Sequence, residues 1–124
     1  MGKKHFTHGR LKVFMTIILA VILIVLVVVC AKKIKLAQNE KNIIGTWKNS
    51  NSENVITVQD SEALILYNDI PEAGLYHGNA SYHFSYTDTI CITQDDISAE
   101  FDIDVDENQL IIYFAGQVYL VLQK

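Results

Sequence analysis

Proline is nearly absent from this chain: there is one in 124 residues, Pro71. Cysteine occurs twice, at Cys30 and Cys91. One of the two lies inside an apolar run, so no disulfide framework can be built from them. A domain exported without disulfides suits a bacterial surface better than a eukaryotic secretory route. Cys91 sits in Thr89-Ile90-Cys91-Ile92-Thr93, without the base and electropositive surroundings that a nucleophilic thiol needs. No Gly-rich phosphate loop, serine nucleophile elbow or paired-carboxylate cleft can be recognised. His77 and His83 have no His-x-x-x-His or Cys pair beside them that would suggest a transition-metal site. The expectation is a protein that is not an enzyme, with no catalytic residue, no metal and no cofactor.

Acidic residues are missing from the first 31 positions, and charge of either sign is missing from Val13 to Ala31. About 20 apolar residues cross a bilayer core as a helix. Lys3, Lys4, Arg10 and Lys12 precede this run. Six lysines and all 14 carboxylates follow it, a net charge of −8, which argues against a nucleic-acid partner. Lys32, Lys33 and Lys35 weaken the positive-inside signal. The short head and its free α-amino group still favour a cytoplasmic N-terminus and an extracytoplasmic C-terminal domain in a single-pass cell-membrane protein. On the head, His5 and His8 join the cations, which meet anionic headgroups. The apolar run is too long for a signal-peptide h-region, so a retained signal anchor is expected. Val29 before Cys30 does not fit a lipidation site.

Four parts follow: a basic cytoplasmic head (1–12), a transmembrane helix (13–31), a polar stem (32–42) and a domain (43–124). The stem is rich in helix formers, so the helix is expected to continue a turn or two past the membrane. The domain reads as all-β. Tyr82, Phe84 and Tyr86 alternate with Ser81, His83 and Ser85. Phe101, Ile103 and Val105 alternate with Glu100, Asp102 and Asp104. Polar turns separate the runs. The predicted strands are Gly45–Asn49, Asn54–Gln59, Ala63–Asn68, Ser81–Tyr86, Thr89–Thr93, Ala99–Val105, Gln109–Phe114 and Gln117–Gln123. About eight short antiparallel strands in an up-and-down meander can close into a small barrel and remove their edges. The expected filling is Trp47, Leu64, Leu66, Phe84, Phe101, Ile103, Leu110, Ile112 and Leu120.

The acidic stretch Asp95, Asp96, Glu100, Asp102, Asp104, Asp106 and Glu107 lacks the glycine and distant glutamate of a calcium loop. It reads as the solvated face of a strand. Six tyrosines remain, a residue type that suits interfaces because one end is apolar and the other wet. The Ile70–Gly78 loop, with Tyr76 and His77, is the candidate contact loop.

Ile43-Ile44-Gly45-Thr46-Trp47-Lys48 opens the domain. A Gly-x-Trp on the first strand, followed by hairpins such as Tyr82 to Thr93 and Phe101 to Ile112, resembles the lipocalin-like (calycin-type) domains of small bacterial secreted or membrane-anchored proteins. The closing segment Val118 to Lys124 is similar too. The resemblance covers residues 43–124. It implies a barrel whose fold motif is Gly45 and Trp47, with Lys124 in the place of the arginine that packs over the tryptophan in larger lipocalins. The Asp-Gly turn usual after the second strand is replaced by Gln59-Asp60-Ser61-Glu62. The family implies a fold more than a function. The expected role is a membrane-tethered, non-catalytic binding module of the cell envelope, for a protein partner or a small apolar ligand. The alternative is a structural or inhibitory accessory protein with no ligand pocket.

Overall fold

A computed structural model describes residues 2–124, with side chains from residue 9 onward. The first element, α1 (Gly2–Asn42), is one uninterrupted helix. From Val13 to Val29 its large apolar side chains are exposed on every face. A helix that is hydrophobic all round has no polar side to give to water. It is long and apolar enough to cross a membrane. The chain divides into two compact units at Ile34/Lys35, so the last two turns of α1 belong to the second unit, Lys35–Lys124. Cys30 and Cys91 are both free.

The second unit is a closed antiparallel β-barrel in which each strand pairs with the next in sequence. Its strands are β1 (Gly45–Lys48), β2 (Asn54–Val58), β3 (Ala63–Leu66), β4 (Gly78–Tyr86), β5 (Thr89–Gln94), β6 (Ile97–Val105), β7 (Gln109–Phe114) and β8 (Gln117–Gln123). These are the eight strands the alternation predicts, and the predicted architecture of one N-terminal apolar helix before an eight-stranded meander barrel is the observed one. The clearest case is β6, where Ala99, Phe101, Ile103 and Val105 are buried and the residues between them are exposed. Period 2 sends successive side chains to opposite faces, so one strand serves both core and solvent.

Turn chemistry sets the registers. Between β7 and β8, Ala115 and Gly116 both have positive φ, +52° and +79°. Two such residues in a row make the tight hairpin turn whose twist matches the flanking strands. After β6, the Asp106 carboxylate accepts the backbone N–H groups of Asn108 and Gln109 at 2.8 and 2.7 Å. Those two bonds hold the Asp106 carboxyl below its ordinary pKa.

The barrel interior holds Trp47, Leu64, Leu66, Phe101, Ile103, Leu110 and Ile112, as predicted. Two predicted core residues, Phe84 and Leu120, are only half buried and pack against this cluster from its margins. Leu122 fills the position in β8 that the prediction gave to Leu120. Ile43, Leu75, Ile90 and Ile92 are buried with them. Fully burying one such aliphatic or aromatic side chain stabilises a fold by about 1.5–3 kcal/mol.

Candidate functional site

The two ends of the barrel are built differently. At one end the stem enters. There β1 begins, and β4 turns into β5 at Thr87-Asp88. Asn39, on the last turns of α1, is buried and donates from Nδ2 to the Thr87 carbonyl at 2.8 Å. That bond ties the stem to a turn 48 residues away. Among the described residues, no hydrogen bond reaches Asn39 Oδ1.

Gly45, Trp47 and Lys124 meet at this same end. Trp47 is fully buried, and its Nε1–H donates to the Ile43 carbonyl at 2.8 Å. The Lys124 ammonium lies 5.1 Å from the centre of the indole ring. A cation within about 6 Å of an aromatic face is attracted by the ring's quadrupole. The same ammonium donates to the Asn42 carbonyl at 3.1 Å. Gly45 lets the lysine pass. A Cβ built there would lie 2.5 Å from Lys124 Cε, and the Gly45 backbone has φ +139°. That conformation is essentially reserved for glycine. The fold motif read from the sequence is therefore one contact set, with a tryptophan plug, a lysine over it and a glycine beside the lysine.

A depression of about 430 Å³ lies beside this end, between the stem and the barrel. Four charged side chains rim it, Glu40, Lys41, Asp60 and Glu62, together with Tyr82, His83 and Phe84. The Tyr82 hydroxyl is already committed, donating to the Gln59 carbonyl at 2.9 Å. Burial, with the nearby Glu62, Glu40 and Asp60 carboxylates, raises the Tyr82 pKa. Another depression, near 510 Å³, is open and acidic, lying over Asp88, Asp102, Asp104 and Tyr113. Asp102 is engaged there by the Thr89 hydroxyl at 2.9 Å. Among the described residues, no group of three or more His, Cys, Asp or Glu side chains is placed to hold a metal ion.

The opposite end of the barrel is plugged by the chain itself. After β3, a single turn of 3-10 helix (Pro71–Ala73) makes a compact loop, closed by Ile70 and Leu75, which exchange backbone hydrogen bonds at 2.8 and 3.1 Å. Pro71 starts the turn, where its fixed φ fits and no N–H is needed. Gly74 ends it in the left-handed region at φ +75°. Both closing side chains point into the core, with Ile70 5% and Leu75 0% exposed. The loop is fastened at two further points. The Tyr119 hydroxyl donates to Glu72 Oε2 at 2.9 Å, and Gln94 bonds the Tyr76 backbone through both amide atoms at 2.8 Å. Burial and the Glu72 carboxylate both raise the Tyr119 pKa.

The predicted contact residues stand on this plug. Tyr76 is 62% exposed although its backbone is held on both sides. His77 is exposed, and its ring Nδ1 lies 2.7 Å from Asp69 Oδ1. Asp69 also accepts the His77 backbone N–H at 2.9 Å, and these bonds from His77 hold its carboxyl below the ordinary range. Ile97, 43% exposed, lies against Gly74 on the same end. The result is a rigidly backed surface with one large amphipathic ring at its edge. His83 and Cys91 stand elsewhere, on the outer wall of β4 and β5, where they face each other across the strand pair. The plugging role of Ile70 and Leu75 is not written in the local sequence pattern. Its only signal was an apolar residue at either end of a proline-led turn. Comparison with family models, with curated proteins and with solved structures finds no match to this chain.

Proposed function

We propose that this protein is a non-catalytic, protein-binding module of the cell envelope, tethered by a single membrane span, with its barrel outside the cytoplasm. The observation that carries this reading is the plugged end. Leu75 and Ile70 close the barrel mouth with apolar side chains, and Tyr76 is left exposed on a backbone held by Gln94. The interior is packed with Trp47, Phe101 and Leu110, and a rigid exposed tyrosine suits a protein contact. The lipocalin-like resemblance gains support from the contact set of Gly45, Trp47 and Lys124, since a cation over the tryptophan is what that resemblance implies. A filled interior also favours the second reading, a structural or inhibitory scaffold. The two differ in whether the Tyr76 surface has a protein partner.

Photo-crosslinking separates them. Benzoylphenylalanine introduced at position 76 of the full chain, in its native membrane, should give a light-dependent adduct of defined mass. The same probe at His83, on the outer wall, should not. No adduct from position 76 contradicts the proposal.

A further inference from the structure

The barrel closes through a very short seam. β8 pairs with β7 from Gln117 to Gln123. On its other side it meets β1 at one position only, Lys48 opposite Gln123. After Lys48 the chain leaves the wall in a turn, with the Asn49 N–H bonded to the Glu53 carbonyl at 3.0 Å. The Asn49 side chain fixes that turn by accepting the Asn51 and Glu53 N–H groups. Among the described residues, β8 from Gln117 to Leu122 therefore has a ladder neighbour on one edge and none on the other.

The direction of the backbone groups follows from one bond. Lys124 donates its N–H to the Asn108 carbonyl, on the β7 side. In an antiparallel ladder, alternate residues turn both N–H and C=O to the same neighbour. Leu122 thus faces β7, opposite Leu110, and Val121 turns its N–H and C=O to the open edge. Native edges are usually blunted by lysine, proline or a covering loop. Gln117-Val118-Tyr119-Leu120-Val121-Leu122-Gln123 has no charge and no proline. Its outward side chains are apolar as well, with Val118 59% and Val121 51% exposed.

Charge selects the occupant. The unit Lys35–Lys124 has four lysines and no arginine against all 14 carboxylates. One of these, Glu72, sits on the Tyr119 hydroxyl in β8 itself. Two copies of so acidic a unit repel each other, and a cationic segment is drawn in. We propose that the open edge of β8 accepts an extended, lysine- or arginine-bearing segment of a partner protein as an added strand. Main-chain bonds to Val121 supply affinity, and alternate apolar side chains lie beside Val118 and Val121. Basic side chains are drawn by the net negative charge of the unit, in which Lys48 and Lys124 are the cations on the two sides of the seam. This rests on the reading of the barrel as a protein-binding module and names the mode of binding.

The test uses the full chain in phosphatidylcholine nanodiscs. The probe is a fluorescein-labelled peptide of alternating valine and lysine, with a valine–glutamate peptide as control. The lysine peptide should bind and slow hydrogen exchange at the Val121 amide, and the glutamate peptide should do neither. Val121→Pro removes the outward N–H without touching a bond to β7 and should weaken binding about tenfold or more. Val121→Lys, which keeps every backbone group, should weaken it also by placing a like charge at the edge. Equal binding to both variants, or no added protection at Val121, overturns the proposal. Protection that rises with protein concentration alone, with no peptide present, overturns it in favour of a second copy. If the edge fails in these ways while the adduct from position 76 persists, only the mode is wrong. If that adduct is also missing, the binding reading fails with it.

Discussion

Replacing Trp47 by phenylalanine removes three things at once, and each has a magnitude. The indole N–H bond to the Ile43 carbonyl is lost at a fully buried site. Leaving a buried carbonyl without its donor costs about 1–3 kcal/mol. The smaller ring leaves roughly 40 Å³ unfilled, which at ~24 cal/mol per Å³ adds about 1 kcal/mol. The Lys124 ammonium, 5.1 Å over the ring, keeps an aromatic partner of weaker quadrupole, a minor loss. The sum is about 2–4 kcal/mol. A domain of this size has a total stability of only about 4–12 kcal/mol. At about 4–8 °C per kcal/mol, the melting temperature of the barrel should fall by roughly 10–30 °C. Circular dichroism of the full chain in detergent micelles checks this, followed at a wavelength where the strands and tyrosines report. Trp47 is the single tryptophan, so fluorescence follows unfolding in the parent chain but not in the variant. A melting temperature within a few degrees of the parent refutes the assignment of Trp47 as the plug of the stem end.

The other end of the barrel should be as sensitive: Leu75→Ala should cost about 2–5 kcal/mol, read as a shifted denaturant midpoint, because the plug side chain is fully buried. Acid should act through Asp69 and Asp106, whose folded pKa values are lowered by the N–H groups they accept. Their contribution is present above the unfolded value near 3.9 and is lost as the pH falls through the lower folded value. The amide signals of Asn108 and Gln109 should therefore titrate with a midpoint below the ordinary aspartate value of about 3.9. In Asp106→Ala that acid-dependent movement should vanish.

The strands were legible because half-buried strands write period 2 into the chain, as β6 does from Ala99 to Val105. β4 begins three residues earlier than predicted, at Gly78, because Gly78-Asn79-Ala80 carry no apolar alternation and are held by pairing with Leu66, Ile65 and Leu64. Asn39 read as part of a polar stem, yet it is buried, because its partner carbonyl comes from a turn far along the chain. Gly45, Trp47 and Lys124 could be named from the sequence, but their contact depends on barrel closure bringing the two ends of the domain together. Tyr76 was visible as an exposed aromatic in an irregular segment. The plug that backs it was not, since burial of Leu75 is decided by the barrel mouth rather than by local pattern. The open edge of β8 was the least legible feature. A meander of eight strands implies a closed wall, and only the register of Lys48 against Gln123 reveals how short the closing seam is.

In the proposed topology α1 holds the barrel outside the cytoplasm. Protease added to intact cells tests it most directly. The acidic domain should be digested, leaving a membrane-embedded fragment that contains Val13 to Ala31. Full protection of the domain in intact cells, with digestion only after the membrane is broken, would contradict it.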